Sequence, residues 1–499
     1  MKRGAGVIMH IASLPGEFGI GSFGNEAYKF AEFVKKSGFK YWQILPLGHT
    51  SYGDSPYQSF SAFAGNPYFI DYDFLRDDGL LVDEDYKNEN YGELDNSIDY
   101  GAIFLSKFKV LKKAFENYKK NNISQIRYGI EEFQKENDFW LKDYSLYMSL
   151  KYHFSFKSWY EWDDSIKRRE ATAINSYEEL LKDEIEYWNF IQYLFYFQWR
   201  KLKNYVNKLG IQIIGDIPIY VAEDSVDTWS NSDSFKMDKD ILEPLVVAGC
   251  PPDSFSETGQ LWGNLIYDWD KMKKDNYKWW KMRIKESLKL YDIVRIDHFR
   301  GFESYWEIPY KDKTAVNGRW IKGPGKEFFE DIKRDIGEVN IIAEDLGYLT
   351  DEVRLFLKDT GFPGMRVLQF AFDGANNNNY LPHRYSKNCV AYTGTHDNDT
   401  FLGWYETSGS DREVINAKKY LALNKEEGYS WGFIRGVWSS IADVAIAPMQ
   451  DFLNLGNDSR MNLPSTLGAN WGWRVEKNSL SNDLANKIYE ITKIYGRCD

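Results

Sequence analysis

The sequence predicts an α/β fold, a (β/α)8 barrel (TIM barrel) with large, mostly helical insertions in the loops at the carboxyl ends of its strands. Two observations predict it: eight short apolar runs that each end near a polar residue, and helical patterns between them. Continuous apolar runs of this length are typical of strands buried on both faces, as in a parallel sheet. Eight of them separated by helices fit a barrel. The predicted strands are Val7–Ile11, Tyr41–Leu45, Ile211–Ile217, Tyr291–Asp297, Asn340–Asp345, Arg366–Phe372, Asn388–Thr393 and Ala442–Ala447.

The uneven spacing of these runs predicts where the insertions lie. The interval from Leu45 to Ile211 is much longer than one βα unit, which takes about 30 residues. We expect one barrel domain over residues 1–499, interrupted at about 48–208 by a mostly helical insertion and at about 222–289 by a second insertion. The first insertion is predicted to be helical because apolar side chains recur at helical spacing. They include Phe104, Phe108, Leu111 and Phe115.

Composition narrows the class of protein. The chain is 17% aromatic, with 18 Trp, 35 Tyr and 32 Phe among 499 residues, and its formal net charge is −12. Aromatic content this high excludes a disordered chain, and the acidic excess disfavours a general nucleic-acid binder. Tyr and Trp present a flat apolar body with a polar edge, which suits the C–H face of a sugar ring. Composition alone leaves open whether these rings bind sugar or fill the core.

Cysteine usage and hydropathy predict the compartment. Cys250, Cys389 and Cys498 lie far apart, and a sparse, odd set is ordinary for a reducing compartment. No apolar stretch approaches the roughly 18 residues that a membrane span needs. We therefore expect a cytoplasmic protein with no membrane partner.

The sequence does not predict a cofactor or a metal. The segment Gly19–Gly24 matches G-x-G-x-x-G, but Leu14-Pro15-Gly16 separates it from the preceding strand. A dinucleotide site needs this motif in the tight turn between strand and helix. Glycines that turn the chain into a helix from Asn25 explain the segment better. No H-x-x-x-H or H-x-H pair is present to hold a catalytic metal.

Three acidic residues follow predicted strands, where barrel enzymes carry their chemistry. Asp297 ends one run, Glu344 follows the next, and Asp397 comes after a third. The first two are separated by one enlarged βα unit and the last two by two units, so all three are expected to meet at one mouth. Any one of them alone would more often be a helix cap or an ion-pair partner. Together they predict a site.

Two carboxyl groups are what the chemistry of a glycosidic bond requires. One must be ionised to attack the anomeric carbon or to activate water, and the other must hold a proton for the leaving oxygen. Arg295 lies two residues from Asp297, on the same face of the strand, and would keep Asp297 ionised. Glu344 at an apolar strand end would be pushed toward its protonated state, and Asp397 could grip sugar hydroxyls. Two nearby histidines are candidate hydroxyl donors, His298 and His396.

On these residues and on longer motifs the chain resembles the amylomaltases, the 4-α-glucanotransferases (disproportionating enzymes) of the α-amylase-like glycoside hydrolase clan. The matching segments are Gly53–Pro67, Gly215–Ala222, Gly249–Asn264 and the three acid motifs, in the order of the family. One departure is Leu265, where the family usually has Pro after Trp-Gly-Asn.

The resemblance implies a retaining transfer of α-1,4-glucan segments to the 4-hydroxyl of an acceptor, without a cofactor. Asp297 would be the nucleophile, Glu344 the acid/base and Asp397 the stabiliser of the transition state. The barrel would be the catalytic domain, and its second insertion, at about 222–289, would cover the substrate through the loop Pro251–Asn264. Partners would be maltooligosaccharides, amylose or related α-1,4-glucans, bound by a monomer or weak homodimer. The implied substrate contacts are Ser55, Tyr57, Asp216, Trp262, Arg295, His298 and His396.

Two rival functions remain open at this point. A hydrolase of the same clan would share the glycosyl-enzyme and differ only in whether water or sugar attacks it. A non-catalytic glucan-binding protein would use the aromatic residues and not the acids. Three acids at strand ends disfavour the second rival, because binding alone does not require them.

Overall fold

The structure is a computed structural model that describes residues 1–51, 53–93, 96–121, 123–252, 256–347, 349–466 and 468–498. In chain order its strands are β1 Gly4–Ile8, β2 Tyr41–Gln43, β3 Gln212–Pro218, β4 Val246–Cys250, β5 Gln260–Leu265, β6 Ile293–Asp297, β7 Ser304–Pro309, β8 Arg319–Lys322, β9 Ile341–Ala343, β10 Gly364–Val367, β11 Cys389–Tyr392 and β12 Val444–Pro448.

Eight of the strands in the described part of the chain close into a parallel barrel, in the order β1-β12-β11-β10-β9-β6-β3-β2. The pairing is in register all round, for example Val7 with Ala447 and Ile214 with Ile293. Large apolar side chains from every strand fill the interior, so the barrel is a packed core and not a pore. They are Ile8, Tyr41, Ile214, Ile293, Ile342, Met365, Val367, Val390, Tyr392, Val444 and Ile446.

All eight predicted runs are confirmed as barrel strands, although two of them differ from the observed strand by three residues or more at one end or both. The first strand is Gly4–Ile8 and not Val7–Ile11, because Gly4 and Gly6 pack closely against Tyr41 and carry no apolar signal. The sixth predicted run, Arg366–Phe372, leaves the barrel at Val367 and continues as a 3-10 helix. Its side chains stay largely buried after the turn, so the apolar pattern did not mark the strand's end.

The α-helices in chain order are α1 Asn25–Lys36, α2 Tyr72–Asp77, α3 Tyr100–Asn121, α4 Ser124–His153, α5 Asp164–Lys167, α6 Ala171–Leu180, α7 Lys182–Lys208, α8 Val226–Ser230, α9 Trp269–Lys274, α10 Lys278–Leu290, α11 Gly325–Ile336, α12 Asp351–Thr360, α13 Phe401–Gly403, α14 Asp411–Leu421, α15 Tyr429–Trp438, α16 Met449–Phe452 and α17 Asn482–Ile494. The helix expected from Asn25 is α1. No helix in the described ranges has the length and apolar character needed to cross a membrane.

Six helices, α2 to α7, lie between β2 and β3 in the described residues. The two longest, α4 and α7, pack against each other through aromatic side chains. Trp140 and Tyr144 of α4 are buried, as are Trp188, Phe190 and Trp199 of α7. Much of the aromatic content therefore fills this helical layer, because burying so much apolar area stabilises it without any ligand.

A second, antiparallel sheet of four strands, in the order β5-β4-β7-β8, lies outside the barrel. The sequence did not predict it. Two of its strands precede β6 in the chain and two follow it, so the sheet extends beyond the region 222–289 expected for the second insertion. Its strand β5 carries Trp262 and its strand β7 begins shortly after the barrel residue Asp297.

Candidate active site

The carboxyl ends of neighbouring barrel strands bring the three predicted acids together. Asp297 is the last residue of β6, Glu344 directly follows β9, and these strands are adjacent in the barrel. The backbone N–H of Glu344 donates to the carbonyl of Ile296 at 3.1 Å. The backbone N–H of His298, the residue after Asp297, donates to Glu344 Oε2 at 2.7 Å. Asp397 lies close enough to Asp297 for its negative charge to raise the pKa of the Asp297 carboxyl.

A chain of hydrogen bonds runs behind Asp297. The Nη2 of Arg295 donates to Asp297 Oδ1 at 2.9 Å, and its Nη1 donates to Asp216 Oδ2 at 2.6 Å. The hydroxyl of Tyr57 donates to the same Asp216 oxygen at 2.8 Å. Asp216 and Arg295 lie opposite each other in the register of β3 and β6, so strand pairing itself sets this contact. Their side chains are 0% and 3% exposed, and such a buried pair is stable only because each charge is matched.

Two opposing effects set the ionisation of Asp297. Burial raises the pKa of its carboxyl, and the positive charge of Arg295 counteracts that rise. The pKa of Asp297 therefore lies above the ordinary aspartate value, while the guanidinium favours the ionised form. Arg295 was predicted to do this from its position two residues away on the same strand face.

Glu344 has the higher proton affinity of the two neighbouring acids. Burial raises its pKa to about 8, and the negative charge of Asp297 adds to the rise. Arg295 and two backbone N–H donors, from Leu346 and His298 at 2.7 Å each, oppose it. Two carboxyl groups whose pKa values are pushed apart are the arrangement that divides acid and nucleophile roles in glycosidic chemistry.

His298 has an unusual backbone conformation, which allows its N–H to bond to Glu344. Its φ of 51° lies in the left-handed region, where residues other than glycine are strained. In that conformation its N–H points at Glu344 Oε2. Burial lowers the pKa of the imidazole to about 3, and the charge of Arg300 contributes, so the ring is neutral at physiological pH.

Asp397 is held differently and is the most open of the three acids. Its side chain is 43% exposed. The amide Nδ2 of Asn462 donates to Asp397 Oδ1 at 2.6 Å, while the Nε2 of His396 lies 3.4 Å from Oδ2. Exposed carboxylate oxygens at the mouth are available to accept hydrogen bonds from a ligand's hydroxyl groups.

Aromatic rings form one wall of the mouth. The ring of Tyr57 stacks on that of His396, with centroids 5.1 Å apart and planes 20° apart. The indole of Trp471 packs against both, at 5.8 Å from Tyr57 and 5.9 Å from His396. Ser55 accepts a hydrogen bond from the backbone N–H of Tyr57 at 3.3 Å, so it shapes the turn that presents Tyr57.

A second aromatic contact faces His298. The ring of Trp262 meets the His298 ring edge-to-face, with centroids 4.8 Å apart, and Trp262 remains partly exposed. Its Nε1 donates to Gln260 Oε1 at 3.0 Å. The predicted covering loop Pro251–Asn264 contains residues 253–255, which lie outside the described residues.

The structure therefore gathers every predicted site residue around the ends of β3, β6, β9 and β11. Ser55 contributes indirectly, through its hydrogen bond to the backbone of Tyr57.

Three residues at the site were not predicted from the sequence and come after the last barrel strand: Arg460, Asn462 and Trp471. The only signal in the sequence was the Trp-rich character of the tail, and no spacing rule connects it to a site.

In the described part of the chain no group of three or more His, Cys, Asp or Glu residues could hold a metal ion.

Comparison with known proteins adds independent findings. A family model described as 4-alpha-glucanotransferase matches residues 9–480. A 4-alpha-glucanotransferase of Clostridium butyricum is 60% identical over 491 residues, which cover 98% of this chain and 100% of that protein. Its counterpart in Streptococcus pneumoniae (strain ATCC BAA-334 / TIGR4) is 49% identical over 497 residues, covering 99% of this chain and 98% of that protein.

Solved structures agree with the fold. The amylomaltase from Streptococcus agalactiae, determined in complex with acarbose, superposes with a TM-score of 0.96 at 44% sequence identity, and the match covers 100% of both chains. The amylomaltase from Corynebacterium glutamicum has a TM-score of 0.79 at 17% identity, covering 100% of this chain and 75% of that one. At that identity the second likeness shows the fold alone.

Proposed function

The chain belongs to the 4-α-glucanotransferase family, and from this membership we propose that Asp297, Glu344 and Asp397 carry out its reaction. The protein is a 4-α-glucanotransferase, which transfers segments of α-1,4-glucans. The assignment rests on two adjacent carboxyl groups. Asp297 accepts a hydrogen bond from the Arg295 guanidinium, and Glu344 has a pKa raised to about 8.

In the first step Glu344 protonates the glycosidic oxygen of the leaving glucan as Asp297 attacks the anomeric carbon. The bond from that carbon to the glycosidic oxygen breaks, and an ester bond to the Asp297 carboxylate forms with inversion. Arg295 binds Oδ1 of Asp297, so we assign the attack to Oδ2. Asp397, with its exposed oxygens, accepts hydroxyl hydrogen bonds from the sugar ring at the reacting position.

In the second step the 4-hydroxyl of an acceptor glucan attacks the ester. Glu344, now a carboxylate, takes the proton of that hydroxyl as general base, and the Asp297 carboxylate leaves. Two inversions give retention of the α configuration. Water would yield hydrolysis by the same route, so the choice of acceptor alone separates a transferase from a hydrolase.

Binding of the glucan is proposed to use the aromatic walls of the mouth. Two aromatic pairs, Tyr57 with His396 and Trp262 with His298, offer flat apolar surfaces edged by polar atoms. Asp216 and Arg295 are buried behind Tyr57 and hold its hydroxyl in place. The relative determined with acarbose supports maltooligosaccharides, amylose and related α-1,4-glucans as the ligand class.

Incubation of the pure protein with maltotriose tests the function. Transfer predicts glucose together with glucans longer than maltotriose, while the number of reducing ends stays constant. Chromatography of the products and a reducing-end assay measure the two quantities on one sample. Glucose and maltose without longer products, accompanied by a rise in reducing ends, would indicate a hydrolase. The Asp297→Asn variant is the control for contaminating activity.

The pH dependence of kcat/KM tests the role of Glu344. Because its pKa is raised to about 8, we expect kcat/KM to fall about tenfold per pH unit above that value, as the acid loses its proton. Burial raises the pKa of Asp297, so the acid limb should lie above the ordinary range of an aspartate. Rates on maltotriose between about pH 5 and about pH 10 measure both limbs, with circular dichroism as the control for unfolding. An alkaline limb that is missing across this range contradicts the assignment.

We further propose that the protein works in the cytoplasm as a monomer or weak homodimer. The three cysteines, Cys250, Cys389 and Cys498, are not joined in disulfides, which suits a reducing compartment. Light scattering of the purified protein across a range of concentrations measures the oligomeric state.

A further inference from the structure

The segment 460–466 follows β12, the last barrel strand in the described residues, and it reaches the candidate site. Asn462 contacts two consecutive residues there. Its side-chain amide donates to Asp397 Oδ1 at 2.6 Å, and its backbone N–H donates to the carbonyl of His396 at 3.1 Å. Both contacts bind the loop after β11 to a segment 65 residues later in the chain.

Arg460 bonds to the backbone of both Asp397 and Asn462. Its Nη2 donates to the backbone carbonyl of Asp397 at 2.6 Å, and its Nε donates to the carbonyl of Asn462 at 2.7 Å. The planar guanidinium holds both N–H groups in one rigid fork, which fixes the two carbonyls relative to each other. Lysine, with a single flexible ammonium, cannot reproduce that geometry.

These contacts matter because the loop around Asp397 has little regular structure to fix it. Asp397 lies between β11 and α13, and its carboxylate is 43% exposed. An exposed aspartate side chain samples several rotamers unless a partner selects one. The Asn462 amide is a neutral donor, so it selects the orientation of the carboxylate without cancelling its charge.

We propose that Arg460 and Asn462 are positioning residues that set the orientation of the Asp397 carboxylate for the transfer reaction. Asn462 fixes Oδ1 directly, and Arg460 fixes the backbone on both sides of that bond. The oxygen Oδ2 lies 3.4 Å from Nε2 of His396. This inference rests on the proposed role of Asp397 in stabilising the transition state.

The first test is the kinetics of Asn462→Ala. Because a misplacement of about 1 Å in a catalytic group lowers rates by up to about 100-fold, we expect kcat to fall about 10- to 100-fold with KM changed less than about threefold. Asn470→Ala is the matched control, since among the described residues the Asn470 side chain bonds within its own loop, to Leu463 and Thr466. It should change kcat less than about threefold. A wild-type kcat for Asn462→Ala would overturn the proposal.

A double-mutant cycle with Asp397→Asn separates positioning from a general structural role. If Asn462 acts through Asp397, its removal should lower the rate of the Asp397→Asn variant less than about threefold, because the group it positions is already lost. An α-maltotriosyl fluoride donor keeps the residual rates measurable. Equal fold losses in both backgrounds would overturn the proposal.

Misfolding of Asn462→Ala and an unchanged rate of Asp397→Asn are each recognised in these experiments. Should Asn462→Ala fail to fold, Arg460→Lys replaces it in the same cycle, because it keeps the charge and removes the fork. Should Asp397→Asn itself keep the wild-type rate, the role proposed for Asp397 fails, and the positioning inference falls with it.

Discussion

Replacement of Asp297 by asparagine (Asp297→Asn) is expected to abolish transfer while leaving maltodextrin binding largely intact. The amide keeps the shape of the carboxylate but cannot attack the anomeric carbon, so kcat should fall at least about 10⁴-fold. The variant should fold, because Arg295 keeps its ion pair with Asp216 at 2.6 Å and is not left as an unmatched buried charge. Transfer rates on maltotriose and calorimetric titration with a maltodextrin measure the two properties.

Chemical rescue makes this expectation stereochemically specific. In Asp297→Gly the space of the carboxylate is open, and azide can attack an α-glycosyl fluoride from the side that Asp297 occupied. The product should be the β-glycosyl azide, formed with one inversion. An Asp216→Asn variant is the matched comparison, since Asp216 binds the same guanidinium but is proposed to form no bond to the sugar, and it should give no azide product. Near-normal transfer by Asp297→Asn contradicts the nucleophile assignment.

Loss of the acid/base residue should have the second-largest effect. With a maltooligosaccharide donor, Glu344→Gln is expected to lower kcat about 10²- to 10⁴-fold, because the leaving oxygen then departs without a proton. A fluoride donor needs no such proton, so its first step should be far less affected. The fall of kcat/KM above about pH 8 should also disappear, since it is assigned to Glu344.

The anomer of the glycosyl azide also tests the assignment of Glu344 as the acid/base. In Glu344→Ala the ester on Asp297 forms from the fluoride donor but lacks a base for its release. Azide attacks it without base assistance and should yield the α-glycosyl azide, after two inversions. The opposite anomers expected from the two variants distinguish the nucleophile from the acid/base on a single donor. A β product from Glu344→Ala would reverse the assignments.

The barrel and its acids were predictable because they obey short-range rules. Strands such as Ile293–Asp297 are buried up to their last residue, and parallel pairing leaves a continuous apolar run in the sequence. The acids follow those runs directly, so finding the strands also located Asp297 and Glu344. Arg295 was predictable for the same reason, since alternate residues of a strand share a face.

The small antiparallel sheet and the tail contacts were not predictable because nothing local encodes them. Strand β8, Arg319–Lys322, is a largely exposed edge strand without an apolar run, and its sheet assembles from segments on both sides of β6. Asn462 reaches Asp397 across 65 residues through one polar contact that leaves no periodic pattern. Such contacts depend on the folded arrangement of distant loops.

The hydrogen-bonded row from Tyr57 through Asp216 and Arg295 to Asp297 has a consequence for the whole catalytic cycle. When Asp297 becomes an ester it loses its charge, and Arg295 remains neutralised by Asp216, so no buried cation is stranded in the intermediate. The lost charge is also one of the two causes that raise the pKa of Glu344. The proton affinity of Glu344 therefore drops once the sugar is attached and recovers when it leaves. Glu344 therefore alternates between donating and accepting a proton as the ester bond on Asp297 forms and breaks.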